Sequence, residues 1–361
     1  MINMSEHVHS RVENGTGIIT LDRPKALNSL SLDMVRTLAS TLLAWRDDAA
    51  VDAVLLQSSS AKALCAGGDI RFFYEVGTAS PQGGSALLED FFTEEYALNH
   101  LIHFYPKPYI ALMDGVVMGG GMGIAQGGPE TGLRIVTERT KMAMPEVNIG
   151  LFPDVGGSHF LSHAPGQLGN YLGLTGLTIG AADALYVGLA DVFVPSAQLA
   201  DLNALIDTTP GAQLADAIRS RFVETVGDSV LEAQRGLIDQ HFGAGSVAAI
   251  MASLAGDDTP FAQKALSALR QRSPLMMCVT HEMLVRGAAM NVADCLRMER
   301  SLVRRNFEHG EVLEGVRALV IDKDNAPQWN PPTLDGVTPA MVERFFEPVW
   351  PGHAHPLRHL D

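Results

Sequence analysis

Two carboxylates, Glu146 and Asp154, lie in an otherwise apolar segment, residues 143–157, which reads AMPEVNIGLFPDVGG. Pro145 and Pro153 precede them and fix the backbone φ angle just before each acid. A carboxylate among Met, Ile, Leu, Phe and Val loses hydration, which raises its pKa unless hydrogen-bond donors compensate. Such a group can serve as a base or a nucleophile near neutral pH. The alternative is that both acids cap turns or helix ends, and this segment alone does not decide between the two.

Two glycine-rich turns precede the acidic segment, Gly67-Gly68 and Gly119 to Gly121. Glycine lets a ligand approach bare backbone, and a glycine cluster before a helix offers N–H groups at the positive end of the helix dipole. Amides from two turns can converge on one oxygen as an oxyanion hole, in which one donor lowers a barrier by about 3–4 kcal/mol. A thioester is the natural substrate, because its carbonyl is readily attacked or enolised. Close chain packing is the alternative for each turn taken singly.

Strand-like and helix-like patterns alternate in the first half of the chain and supply the elements that must position these residues. The apolar runs predict strands at residues 17–21, 52–56, 108–113, 141–144 and 189–194. Helical spacing predicts helices after the caps Ser31 and Asp69, over residues 86–105, and from Ser158 onward. This alternation predicts an α/β core.

The pattern changes after Pro195, where strand-like alternation stops and helical spacing dominates to about Ile321. A tail that contains Pro and Trp follows from Pro327. We therefore predict a catalytic core over residues 11–195 and a mainly helical C-terminal region with a coil tail over residues 196–361.

Composition narrows the classes of partner. The formal net charge of −15 argues against nucleic-acid or anionic-membrane binding, and an anionic substrate would need a local basic patch. The three cysteines form no CxxC pair, so neither a zinc site nor a disulfide framework is predicted, and we expect no metal. The first seven residues show no signal or transit pattern, and no apolar run approaches membrane-spanning length. These observations predict a cytoplasmic protein.

Residues 63–70, 118–123 and 145–157 together resemble the enoyl-CoA hydratase/isomerase (crotonase) superfamily, and the resemblance covers most of the chain. Four segments resemble its 3-hydroxyisobutyryl-CoA hydrolase branch: FTEEY at 92–96, MPE at 144–146, GLFPDVGG at 150–157 and EGVRALVIDKD at 314–324. The resemblance implies a crotonase-like core of stacked ββα turns with a helical C-terminal region. It implies no cofactor, since CoA is part of the substrate, and a possible trimer or hexamer.

The resemblance also implies roles for single residues. The oxyanion-hole amides would be those of Gly68 and Gly120. Hydratases of the superfamily carry two catalytic glutamates; the second aligns with Glu146, whereas Gly123 stands at the place of the first. Asp154 stands where hydratases have a glycine. Adding water across a double bond with Glu146 alone should be slow, because proton delivery and water activation would both fall to one group.

A hydrolase would use the groups that are present. Glu146 would attack the thioester carbonyl to form a mixed anhydride, or would act as the base for an attacking water, and the sequence leaves both open. Asp154 would bind the 3-hydroxyl of the substrate or shuttle a proton. Glu95 would line the acyl pocket; without the resemblance it would be a surface acid beside Glu94.

Contacts to the phosphates of CoA are expected from Arg23, Lys25 and Arg71, with Ala66 beside the first glycine turn. Solvated surface charge is the more common explanation for any one of these cations.

Three hypotheses follow. The first is a hydrolase of a short 3-hydroxyacyl-CoA, with 3-hydroxyisobutyryl-CoA as first choice and a role in valine breakdown. The second is a hydratase or isomerase of the same fold, against which Gly123 counts. The third is a non-catalytic acyl-CoA binder, against which the retained acids Glu146 and Asp154 count.

Overall fold

The computed structural model describes residues 5–80 and 84–361. By proximity the chain groups into two compact units. Unit 1 holds the described residues up to Gly68, Ala97–Ala143 and Thr178–Val230. Unit 2 holds the described part of Asp69–Tyr96, Met144–Leu177 and Leu231–Asp361. The predicted catalytic core, residues 11–195, and C-terminal region, residues 196–361, are defined by function and not by spatial proximity. That division therefore stays a prediction.

The strands of the described residues all belong to unit 1. In chain order they are β1 Val8–Glu13, β2 Thr16–Leu21, β3 Ala53–Ser58, β4 Ala63–Cys65, β5 Tyr109–Met113, β6 Val116–Met118, β7 Gly132–Val136, β8 Lys141–Ala143 and β9 Val192–Phe193. One sheet has the order β1-β2-β3-β5-β7-β9, and a second, smaller sheet has the order β4-β6-β8. Except for the antiparallel pair β1–β2, the paired strands are parallel.

The chain passes three times from the larger sheet to the smaller one, from β3 to β4, from β5 to β6 and from β7 to β8. This repeated step is the stacked ββα core that the sequence predicted, and the prediction is confirmed.

The helices of the described residues are α1 Leu32–Arg46, α2 Ile70–Ala79, α3 Ala86–His103, α4 Gly120–Ala125, α5 Gly157–Phe160, α6 Leu168–Thr175, α7 Ala181–Val187, α8 Leu199–Thr208, α9 Gly211–Arg221, α10 Val230–Phe242, α11 Val247–Ala255, α12 Pro260–Leu269, α13 Pro274–Gly287, α14 Val292–His309, α15 Val312–Val316 and α16 Pro339–Phe346. Residues 194–361 contain helices and turns and no strand, as the change of pattern after Pro195 predicted. Among the described residues, no helix combines the length and apolar character that crossing a membrane requires.

Local sequence explains where several elements begin. The hydroxyl of Ser31 accepts a hydrogen bond from the Met34 amide at 3.3 Å, and the carboxylate of Asp69 accepts one from the Phe72 amide at 3.3 Å. Both side chains satisfy amides that a first helical turn leaves without partners, so the predicted caps of α1 and α2 are confirmed.

The core of unit 1 lies between the larger sheet and the helices α8 and α9. Parallel strands are covered on both faces and therefore read as continuous apolar runs, which is how β2, β3 and β5 appear in the sequence. The side chains that meet in this core are Ile18, Leu55, Ile110, Leu133, Ile135, Val192, Val194, Leu202, Ile206, Leu214, Ile218 and Phe222.

Four strands were not predicted, namely β1, β4, β6 and β7. β4 and β6 have three residues each, so neither shows a periodic pattern, and they are held by pairing with each other and with β8. The predicted strand at residues 189–194 is shorter in the structure, where β9 covers two residues.

Candidate active site

Glu146 is the first residue of a short 3-10 helix, Glu146–Ile149, that begins shortly after β8 ends. The helix ends at Gly150 in the left-handed conformation with φ 69°, where an added Cβ would lie 2.7 Å from the carbonyl oxygen of Glu311. Only glycine fits this position, and the close approach packs the segment against the start of α15. The Glu146 side chain is 6% exposed, and its Oε2 has no hydrogen-bond partner among the described residues.

Asp154 lies in the turn between this 3-10 helix and α5. The two residues that follow it, Val155 and Gly156, have φ angles of 54° and 90°. A left-handed conformation is uncommon for a β-branched residue, and such strain persists where the surroundings over-determine it, often at functional sites. Asp154 is 5% exposed, and its Oδ2 accepts a hydrogen bond of 2.6 Å from the hydroxyl of Tyr96.

Glu95 and Tyr96 come from α3. Glu95 is 2% exposed, and its Oε1 has no hydrogen-bond partner among the described residues. This burial argues against the alternative of a surface acid, and the neighbour Glu94 is only partly buried. Its role toward a substrate stays a prediction.

The three acids influence one another electrostatically within unit 2. Burial raises the pKa of Glu146 well above its usual range, and the charge of Asp154 raises it further. The same two causes raise the pKa of Glu95. Burial also raises the pKa of Asp154, to about 6, although the hydrogen bond from Tyr96 acts in the opposite direction. The cluster can therefore hold an ionised and a protonated carboxyl side by side, which is the requirement for paired acid and base chemistry.

Two residues of the site were missed by the sequence reasoning. Tyr96 is the last residue of the FTEEY segment at 92–96, for which the resemblance implied a role of Glu95 alone. Glu299 on α14 is fully buried and accepts hydrogen bonds from the Gly156 amide, the Ser158 amide and the Ser158 hydroxyl. A signal was present, because Glu299 stands on the apolar face of α14 between Leu296 and Leu302, where a charged residue needs a reason.

The two predicted oxyanion turns are neighbours within unit 1. A Cβ added to Gly67, which has φ 105°, would lie 3.5 Å from the Gly120 amide nitrogen. A Cβ added to Gly121 would lie 2.2 Å from the carbonyl oxygen of Cys65. The Gly120 amide begins α4, so it lacks an acceptor within its own helix. The contact supports the expectation that the turns act together, and the roles of the Gly68 and Gly120 amides stay predictions.

The residues expected to contact CoA are in both units. In unit 1, Lys25 is exposed, Arg23 hydrogen-bonds the Ser29 carbonyl at 3.0 Å, and the Ala66 amide donates to the Leu27 carbonyl at 3.0 Å. These contacts hold the turn after β2 beside the first glycine turn. In unit 2, Arg71 is exposed on α2 and makes a long contact of 3.4 Å to the Val320 carbonyl. Binding of CoA phosphates by these residues stays a prediction.

Comparison with known proteins agrees with this architecture. A family model described as enoyl-CoA hydratase/isomerase matches residues 16–346. The chain belongs to this family. A relative named 3-hydroxyisobutyryl-CoA hydrolase, mitochondrial, from Danio rerio is 41% identical over 337 residues, which are 91% of this chain and 86% of that protein.

Two solved structures of the family have nearly the same fold as this enoyl-CoA hydratase/isomerase family member. A carnitinyl-CoA dehydratase from Mycobacterium thermoresistibile is 41% identical with a TM-score of 0.89, over 96% of this chain and 98% of that one. An enoyl-CoA hydratase from Rhodobacter sphaeroides is 38% identical with a TM-score of 0.86, over 95% of this chain and 98% of that one. The crotonase resemblance and the α/β fold with a helical C-terminal region are confirmed.

One prediction about this family member was wrong. The sequence led us to expect a cytoplasmic protein, whereas the Danio rerio relative and seven further curated relatives are named as mitochondrial. The expectation rested on a missing targeting pattern in the first seven residues, of which the first four lie outside the described residues. A missing pattern is too weak a signal to assign a compartment.

Proposed function

We propose that this protein hydrolyses the thioester of a short 3-hydroxyacyl-CoA, with 3-hydroxyisobutyryl-CoA as the first candidate and a role in valine breakdown. The observation that carries the proposal is the buried Glu146, whose Oε2 has no hydrogen-bond partner within residues 5–80 and 84–361. The nearby Asp154 carboxylate accepts a hydrogen bond from Tyr96. The names of the curated relatives support the same substrate.

The reaction replaces the carbon–sulfur bond of the thioester by a carbon–oxygen bond. In one form Glu146 attacks the carbonyl, the CoA thiolate leaves, and water then hydrolyses the mixed anhydride. In the other form Glu146 removes a proton from water as the water attacks. In both forms the amides of Gly68 and Gly120 stabilise the oxyanion, and the thiolate takes up a proton as CoA leaves.

The remaining acids would orient the acyl group. Asp154, which already accepts a hydrogen bond from the Tyr96 hydroxyl, would accept another from the 3-hydroxyl of the substrate or take the proton that Glu146 loses. Glu95 would line the acyl pocket. Arg23, Lys25, Ala66 and Arg71 would contact CoA, and assembly as a trimer or hexamer is proposed from the family resemblance alone.

A second function, water addition or removal at a double bond, is favoured by the names of the two solved structures. Gly123 counts against it, because it lies inside α4 where the resemblance places the first hydratase glutamate. Glu95 and Asp154 are further acids that would have to supply the second proton-transfer group of that reaction.

The test incubates the protein with 3-hydroxyisobutyryl-CoA, crotonyl-CoA and carnitinyl-CoA and follows free thiol and the absorbance of the conjugated double bond. We expect thiol release from the first ester and little change with the others. Formation or loss of the double bond without thiol would establish the second function and contradict ours. Binding of the esters by calorimetry with neither reaction would leave a non-catalytic binder.

A further inference from the structure

The carboxylate of Glu299 accepts hydrogen bonds from the turn that carries Asp154. Glu299 Oε2 accepts from the Gly156 amide at 2.8 Å, and Oε1 accepts from the Ser158 amide at 2.9 Å and the Ser158 hydroxyl at 2.6 Å. These donors flank Gly157, so one side chain fixes the backbone path of the whole turn. All of these groups are buried.

The turn needs such an anchor because its backbone is strained. Val155 at φ 54° stands directly between Asp154 and the amides that Glu299 binds. A β-branched residue in this conformation is strained and relaxes when its surroundings allow it. Relaxation at Val155 would turn the Asp154 carboxylate away from the Tyr96 hydroxyl.

Arg300, the next residue on α14, contacts the helix α3. Arg300 is buried and donates from Nε to the Thr93 hydroxyl at 2.9 Å, and its guanidinium pairs with Glu89. Thr93 and Glu89 belong to α3, the helix that carries Glu95 and Tyr96. Two consecutive residues of α14 therefore fix the turn of Asp154 and the helix that supplies its hydroxyl donor.

We propose that Glu299 is a positioning residue that sets the Asp154 carboxylate in place for catalysis by binding the backbone of the following turn. The inference rests on the proposed function, since it assigns Glu299 an effect on the same reaction. It gives the helical C-terminal region a part in catalysis through α14. Glu299 itself does not touch the reacting atoms.

A double-mutant cycle with Glu299→Gln and Asp154→Asn tests the proposal, with kcat/KM for thiol release as the readout. The amide keeps the size of the side chain but cannot accept all three hydrogen bonds. We expect Glu299→Gln to lower kcat/KM at least ~10-fold in the wild-type background, but less than ~3-fold when Asp154 is already Asn, as coupled residues behave. Equal losses in both backgrounds would overturn the proposal. Single-turnover measurements with excess enzyme keep the slow variants measurable.

Ser158→Ala is the milder variant, because it removes one of the three hydrogen bonds and leaves the carboxylate in place. Ser158→Ala should lower kcat/KM less than Glu299→Gln does, and its effect should likewise shrink when Asp154 is already Asn. It is the deciding variant if Glu299→Gln does not fold. Independence of Ser158→Ala from Asp154→Asn would count against the proposal.

Asp257→Asn is the matched control. Asp257 also accepts from a backbone amide, that of Thr259 at 2.7 Å, and from His241 at 2.9 Å, but it binds no part of the Asp154 turn. Any effect it has should add to that of Asp154→Asn. Absence of thiol release by the wild-type protein would refute the proposed function, whereas release with an additive Glu299–Asp154 cycle would refute the positioning role alone.

Discussion

At the scale of single residues, the carboxyl groups of Glu95, Glu146 and Asp154 differ in the donors they receive. Asp154 accepts from the Tyr96 hydroxyl, whereas Glu95 and Glu146 each have an oxygen with no hydrogen-bond partner in the part of the chain that the structure describes. Burial raises the pKa of Asp154 to about 6, and burial, with the charge of Asp154 adding to it, raises the pKa of Glu146 and Glu95 well above their usual range. Under the proposed function Glu146 must lose its proton before it acts, and Asp154 is the anion that can accept it.

This arrangement predicts the acid limb of the pH profile. If catalysis needs ionised Asp154, kcat/KM has its full value above the pKa of about 6 and falls as the pH drops through that pKa. Tyr96→Phe removes a hydrogen bond that lowers this pKa, so the acid limb should move to higher pH. The measurement is kcat/KM for thiol release between pH 5 and pH 9.

Tyr105→Phe is the control for that shift, since the buried Tyr105 donates to the Leu42 carbonyl at 2.9 Å and not to an acid. Its acid limb should coincide with that of the wild type. If the acid limb of Tyr96→Phe stayed at the wild-type pH, the result would contradict the assignment of the ionised group to Asp154.

At the scale of elements, the glycine turns are requirements of chain packing as well as candidates for chemistry. Gly121 lies in the first turn of α4 against β4, where an added Cβ would lie 2.2 Å from the Cys65 carbonyl oxygen. The backbone would have to shift, and it would carry the Gly120 amide with it.

Gly121→Ala should therefore destabilise the protein by about 1–3 kcal/mol, the usual cost of overpacking, and lower thiol release by more than the loss of folded protein explains. Gly236→Ala is the control, because no atom of the described residues lies within 4 Å of a Cβ built at that position in α10. Alanine there should stabilise the helix by ~0.5–1 kcal/mol without changing kcat/KM. Urea unfolding and thiol-release assays would show the difference, and a neutral Gly121→Ala would refute the packing argument.

What the sequence could predict at this scale followed from local patterns. Caps at Ser31 and Asp69, the continuous apolar strands and the helical spacing of α3 all act over a few residues, and each was found. β4 and β6 were missed because pairing with distant strands, not their own residues, defines them. Glu299 carried a local signal, a charge on the apolar face of α14, but its partners Gly156 and Ser158 are far away in the chain and the sequence did not indicate them.

At the scale of the whole molecule, the buried acids make folding depend on pH. In the unfolded chain these acids lose their protons near their ordinary pKa values, whereas in the folded chain they keep them to higher pH. The free energy of unfolding therefore falls as the pH rises from the unfolded-state pKa to the folded-state pKa. For Asp154, a rise in pKa from 3.8 to about 6 corresponds to a cost of roughly 3 kcal/mol above pH 6. Glu146 and Glu299 act in the same direction.

The whole-molecule charge of −15 also bears on the substrate, because CoA carries the same sign. Under the proposed function, affinity for CoA would come from local groups, and Lys25 and Arg71, both exposed, are the proposed ones.

The most direct test of the account is turnover of 3-hydroxyisobutyryl-CoA by Glu146→Gln, measured with ester binding and thermal unfolding on the same preparation. The amide resembles the protonated acid, so we expect binding within about threefold of wild type and turnover reduced at least ~100-fold. Because the variant no longer carries an acid that destabilises the fold at high pH, its thermal midpoint should exceed that of the wild type at pH 8 and match it near pH 4.5. Thiol release at the wild-type rate by a fully folded Glu146→Gln protein would contradict the central claim that this carboxylate drives hydrolysis.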